Sequence, residues 1–81
     1  MNVRVRLFAL VKQVAGRESV ELELPEGATI RALRDGLAAQ VPALADLLSQ
    51  VMFAVGTQYA TDKTVVPPDA EVACIPPVSG G

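Results

Sequence analysis

The sequence predicts an α+β fold, a mixed sheet with one main helix packed on one face. Three observations predict it. Two runs near the start alternate apolar and polar with the period of a half-buried strand. A stripe at helical spacing follows over residues 30–41. A third alternating run, Glu71-Val72-Ala73-Cys74-Ile75, then brings the chain back. The 81 residues make a single domain. A chain of this size buries only about 60% of the surface its unfolded form exposes, so its core is thin.

The elements follow in order. Val3, Val5 and Leu7 share one face of the first strand, and Arg4, Arg6 and Phe8 share the other. Residues 10–15 read as loop leading to a turn at Gly16-Arg17. Val20-Glu21-Leu22-Glu23-Leu24 is a second strand, apolar in and acidic out, antiparallel to the first. Thr29 is placed to cap a helix beginning at Ile30, with Ile30, Leu33, Leu37 and Val41 on its apolar stripe. Gly36 costs that helix about 1 kcal/mol relative to alanine, which close packing against the sheet would explain. Pro42 ends the helix. Leu44, Leu47, Leu48 and Val51 suggest a shorter helical segment. Met52-Phe53-Ala54-Val55 reads as a strand that stops at Gly56, and Gln58-Tyr59-Ala60 as a short one. Residues 61–69 read as loop, since Pro67-Pro68 cannot donate to a ladder. In the last strand Val72 and Cys74 point to the core, and Ala73 and Ile75 point out.

A hairpin, a crossing helix and a returning strand make the β-grasp, or ubiquitin-like, arrangement. The first and last strands then lie parallel in the centre. Phe8 and Ile75 are neighbours on the face that the helix leaves bare. With the strand faces reversed, both become core. The globular domain is expected over 1–75, and an extended, flexible tail over 76–81.

Composition removes whole classes of function. Histidine is absent, so no Ser-His-Asp or Cys-His centre and no histidine metal ligand can form. Cys74 is the only cysteine, which excludes an intrachain disulfide and a CxxC site. It reads as a small buried hydrophobe. One thiol and no signal peptide suggest a cytoplasmic setting. Seven basic and nine acidic side chains leave a net charge of −2, which argues against nucleic acid as a partner. No apolar run approaches a membrane span. Arg4, Arg6, Glu21 and Glu23 read as a solvated face.

The chemistry is therefore sought in the tail, Pro76-Pro77-Val78-Ser79-Gly80-Gly81. Two prolines fix their φ angles and favour an extended exit, though they could simply stop the strand. Six residues reach roughly 20 Å. Gly80 and Gly81 let the backbone pass a slot too narrow for any Cβ. The tip is an α-carboxylate, ionised at neutral pH and a poor electrophile. ATP can convert it to an acyl-adenylate, and a sulfur donor can then displace AMP to leave a thiocarboxylate on Gly81. None of these steps needs a side chain of this protein.

These residues resemble the MoaD family of sulfur carriers, the small subunits of molybdopterin synthase, nearly end to end. The resemblance rests on Val5-Arg6-Leu7-Phe8-Ala9, Gly16, Leu24-Pro25-Glu26-Gly27-Ala28-Thr29 and Ala54-Val55. It closes on Glu71-Val72-Ala73 and the run from Ile75 to Gly81, its most specific part. The resemblance implies an E1-like partner that adenylates the terminal glycine with ATP, and a sulfurtransferase that supplies sulfur. It implies a large synthase subunit that binds the pterin, cyclic pyranopterin monophosphate, and a heterotetramer with one carrier at each end. No cofactor is implied as permanently bound to the carrier. By position, Gly81 bears the sulfur and Gly80 is the slot residue. Phe8, Tyr59 and Ile75 match apolar contacts with the large subunit, and Pro76, Pro77, Val78 and Ser79 lead the tail into it. Two positions depart from the pattern. Gly56 stands where asparagine is usual, and Pro68-Asp69-Ala70 replaces an Asp-Gly-Asp turn. Asp69 takes the glycine place, where a left-handed backbone is tolerated by Asp better than by most residues.

Three readings remain open on the residues alone. One is a sulfur carrier, for the pterin or for thiazole or tRNA thiolation. Another is a protein modifier joined to lysines. The last is a plain interaction module that binds through Phe8 and Ile75.

Overall fold

The computed structural model describes residues 1–77. Five strands form one mixed sheet in the order β2-β1-β5-β3-β4. They are β1 (Asn2–Leu7), β2 (Ser19–Glu23), β3 (Met52–Val55), β4 (Gln58–Ala60) and β5 (Glu71–Ile75). β1 and β5 run parallel, and the other neighbours are antiparallel. The central parallel pair expected from the sequence is therefore present.

Helix α2 (Ile30–Gln40) covers one face of the sheet. Its start is fixed where the sequence placed it. Thr29 is extended, and its side-chain oxygen accepts a hydrogen bond from the Ala32 N–H at 3.4 Å. Ile30, Leu33 and Leu37 are buried against Val3, Val5, Leu7, Val20, Leu22, Phe53, Val72 and Cys74. Val41, the fourth residue of the stripe, is only partly buried, because the helix has already ended. The segment after Pro42 is a 3-10 turn (Pro42–Leu44) running into a short helix, α3 (Ala45–Leu48), with Leu44 and Leu48 inside.

The structure corrects two expectations. Residues 10–15 are not loop: helix α1 spans Ala9–Ala15 and buries Val11. Nothing in Leu10-Val11-Lys12-Gln13-Val14-Ala15 breaks a helix, and burial of one valine anchors a segment too short to be helical alone. Gly16 ends it at φ 72°, its N–H bonded to the Lys12 carbonyl at 2.9 Å. That is the left-handed C-terminal cap glycine supplies most readily. The turn expected at Gly16-Arg17 is present, and its glycine is also the helix stop. Close packing also fails to explain Gly36. A Cβ there would meet Leu24 Cδ2 at 3.7 Å and Leu22 Cδ1 at 3.8 Å, which is ordinary contact.

Both departures from the family pattern are accommodated. Gly56 has φ 62° at the first of two residues joining β3 to β4, where a II′ hairpin turn calls for glycine. Asp69 has φ 61°, the left-handed conformation anticipated for it.

Candidate functional site

The bare face of the sheet is built by strand register. Residues paired across neighbouring strands point to the same side. Arg6 pairs with Ala73, and Ala73 with Ala54, which pairs in turn with Tyr59. Met52 pairs with Ile75. Phe8 continues the parallel ladder one step beyond β1, its N–H donating to the Cys74 carbonyl at 3.3 Å. That bond sets Phe8 beside Ile75. Phe8, Ile75 and Met52 thus form one row and Ala73, Ala54 and Tyr59 the next.

The result is an apolar cluster at the end of the sheet where β1 and β5 finish. Phe8, Met52 and Tyr59 are 42%, 49% and 69% exposed, and Ile75 is partly so. The other end of the same face is charged. Arg4 is paired with Glu21 on one side and Glu71 on the other. Arg6 lies between the two halves. Its guanidinium is 3.7 Å from the Glu71 carboxylate and 5.9 Å from the centre of the Phe8 ring. At this exposure each contact contributes no more than about 1 kcal/mol, enough to bias how Phe8 and Arg6 sit and too little to lock them.

The sequence-predicted residues fall as follows. Phe8, Ile75 and Tyr59 are brought together on the bare face. Pro76, half-buried, and Pro77, exposed, leave the sheet directly beside them. Val78, Ser79, Gly80 and Gly81 lie outside the described residues. Met52 belongs to the cluster and was missed by sequence reasoning. Met52-Phe53-Ala54-Val55 is apolar throughout, so alternation could not say which residues face out. Only the pairing of Met52 with Ile75 reveals it.

No chemistry of its own is assembled in the described body. Cys74 is fully buried, and burial pushes its thiol up from 9.0 to about 12, only partly offset by the Arg34 charge. It is a core residue and a poor nucleophile. A shallow cavity of about 370 Å³ lies beside α2 and α3. Its charges are already committed: Arg34 bonds the Leu48 carbonyl and, at 3.0 Å, the Asp62 carboxylate, while Arg31 pairs with Asp35 at 3.4 Å. Among the described residues no three His, Cys, Asp or Glu side chains are placed to hold a metal. Among them, too, no helix is long and apolar enough to cross a membrane.

Comparison with known proteins gives the family and the fold. A model of the ThiS family matches residues 5–81. The chain is 35% identical over 81 residues to a molybdopterin synthase sulfur carrier subunit of Arabidopsis thaliana, covering all of this chain and 84% of the relative. It is 36% identical over 83 residues to the protein of the same description in Chlamydomonas reinhardtii, covering all of both. The crystal structure of SAMP1, small archaeal modifier protein 1, from Haloferax volcanii matches all of both chains with a TM-score of 0.87 and 26% identity. The fold is ubiquitin-like.

Proposed function

The chain belongs to the ThiS family, together with the molybdopterin synthase sulfur carrier subunits, and from that premise we propose that it carries sulfur on its C-terminal glycine for molybdopterin synthesis. The observation that carries the proposal is a juxtaposition. The apolar cluster of Phe8, Ile75, Met52 and Tyr59 sits at the point where the chain leaves the sheet for Pro76-Pro77. A partner that docks there by burying apolar surface receives the tail at the same time.

The mechanism needs three steps. The Gly81 carboxylate attacks the α-phosphorus of ATP on an adenylating partner, and pyrophosphate leaves. Sulfur delivered at the oxidation level of sulfide then attacks the acyl carbon, and AMP leaves with its electron pair. The thiocarboxylate enters the active site of the large subunit of the synthase, which binds the pterin. There the thiocarboxylate sulfur attacks an electrophilic carbon of cyclic pyranopterin monophosphate and displaces its oxygen. Water then cleaves the acyl–sulfur bond, which leaves the sulfur on the pterin and returns Gly81 as a carboxylate. Pro76 and Pro77 aim the tail, Val78 and Ser79 carry it on into the large subunit, and Gly80 allows close approach of the backbone. The body contributes docking and reach.

The test is the intact mass of the chain after incubation with its adenylating partner, ATP and a sulfur source. A gain equal to sulfur replacing oxygen, mapped to Gly81, is expected. Removal of Gly81 should abolish pterin sulfuration and leave the fold and the docking intact. Activity retained in the truncated chain would overturn the proposal. The likeness to SAMP1 favours a second reading, a modifier joined to lysines. Gly-Gly remnants on other proteins, dependent on Gly81, would support it.

A further inference from the structure

The apolar surface does not stop at Phe8. Phe8 is also the residue before α1, and its carbonyl accepts from the Val11 N–H at 3.1 Å. Ala9 turns the chain out of the sheet at φ 48°, a conformation alanine rarely adopts. From there α1 runs to β2, which begins beside the end of β1, the Leu7 N–H bonding the Glu18 carbonyl at 2.9 Å. The helix therefore lies at the end of the sheet from which Pro76 departs. Leu10 and Val14, four residues apart, share one side of it. They are 49% and 42% exposed, as open as Met52 and Phe8.

Resting on the carrier reading above, we infer that the docking surface wraps the base of the tail and continues onto α1, where Leu10 and Val14 form an apolar ledge for the large subunit of the synthase. Adjacency is one argument: Phe8 is the residue before α1, and Leu10 lies in the first turn of that helix. Area is the other. Taking about 200 Å² for a large side chain, Phe8, Met52 and Tyr59 offer on the order of 300 Å². A lasting partner covers about 800 Å² on each side. The ledge adds apolar surface next to the tail's exit, so the partner grips that exit from two sides. A subunit held through the reaction needs this more than an enzyme met in passing.

The experiment titrates the full-length carrier into the large subunit and follows pterin sulfuration from carrier already bearing the thiocarboxylate. Leu10→Ser/Val14→Ser, or the milder Leu10→Gln alone, should weaken binding about tenfold for the pair and slow sulfuration at limiting carrier. Thermal melting within a few degrees of the parent shows that the fold is kept. Val65→Ser, 55% exposed and bridged to Thr29 at the other end of the sheet, should change neither. Unchanged affinity in both α1 variants, with Phe8→Glu still losing affinity, would overturn the ledge and leave the carrier reading standing. If Phe8→Glu also bound normally, the docking part of that reading would fall as well. Two other results would overturn the assignment. In one, the variants lose adenylation but not large-subunit affinity. In the other, they abolish self-association of the carrier alone.

Discussion

The chain's two phenylalanines occupy opposite faces of one sheet. Each lies near a guanidinium. Phe53 is 1% exposed, with Arg34 5.0 Å from its ring centre. Phe8 is 42% exposed, with Arg6 at 5.9 Å. Around Phe53 the surroundings are closed: α2 lies above it, Cys74 is its strand partner, and Arg34 is held by the Leu48 carbonyl and Asp62. Around Phe8 they are open, and Arg6 is paired with an exposed glutamate. The same residue type thus builds the fold on one side and offers a surface on the other. What separates the two uses is the cover above each ring, not the ring itself.

Truncating each ring should separate them most sharply. Phe53→Ala removes a closed-in aromatic and should cost about 3–5 kcal/mol. Against a total of roughly 5–10 kcal/mol for a small domain, that leaves little folded protein at physiological temperature. Phe8→Ala should shift stability by no more than about 0.5 kcal/mol, while weakening large-subunit binding. Urea melts of the two variants check both. A large loss from Phe8→Ala would make the bare face part of the core and break the contrast.

Acid–base chemistry offers the next largest effect. Cys74 lies on the covered face, and burial raises its thiol from 9.0 to about 12. The unfolded chain releases that proton first. The folded state therefore holds its full stability below pH 9. It loses about 1.4 kcal/mol per pH unit as pH rises from there toward 12. Cys74→Ala should remove this part of the alkaline slope, leaving the slope from the exposed groups. Equal slopes in parent and variant would mean that water reaches the covered face.

Most of the covered face was legible from the residues alone. Alternation in Val3-Arg4-Val5-Arg6-Leu7 and Val20-Glu21-Leu22-Glu23 fixes which side is buried, because each strand has one wet face. Thr29 followed by an apolar stripe at helical spacing fixes α2. The bare face was legible only in part. Phe8 and Ile75 continue alternating runs and could be assigned outward, but Met52 and Ala54 lie in a run with no polar residue. Helix α1 was not legible because its packing rests on one buried side chain, Val11, and because the two runs around Gly16 pair antiparallel whether a loop or a helix joins them. The tail's prolines and glycines are plain in the sequence, yet what they do depends on another protein, and no pattern within this chain encodes that.

The smallest expected effect tests how tightly the covered face is closed. Gly36 lies in α2 over β2, where a missing side chain suggested crowding. The nearest atoms to a Cβ there are the methyl carbons Leu24 Cδ2 and Leu22 Cδ1, at 3.7 and 3.8 Å. Those distances allow a methyl group to touch both leucines without displacing either. Glycine meanwhile gives up more backbone freedom on folding than alanine does, which costs about 0.5–1 kcal/mol inside a helix. Gly36→Ala should therefore raise stability by about that amount, read as a higher urea midpoint with an unchanged slope. Docking should not change, since the bare face lies on the other side of the sheet. A destabilised variant would mean that α2 cannot yield even a few tenths of an ångström, and that the covered face is packed more tightly than its contact distances imply.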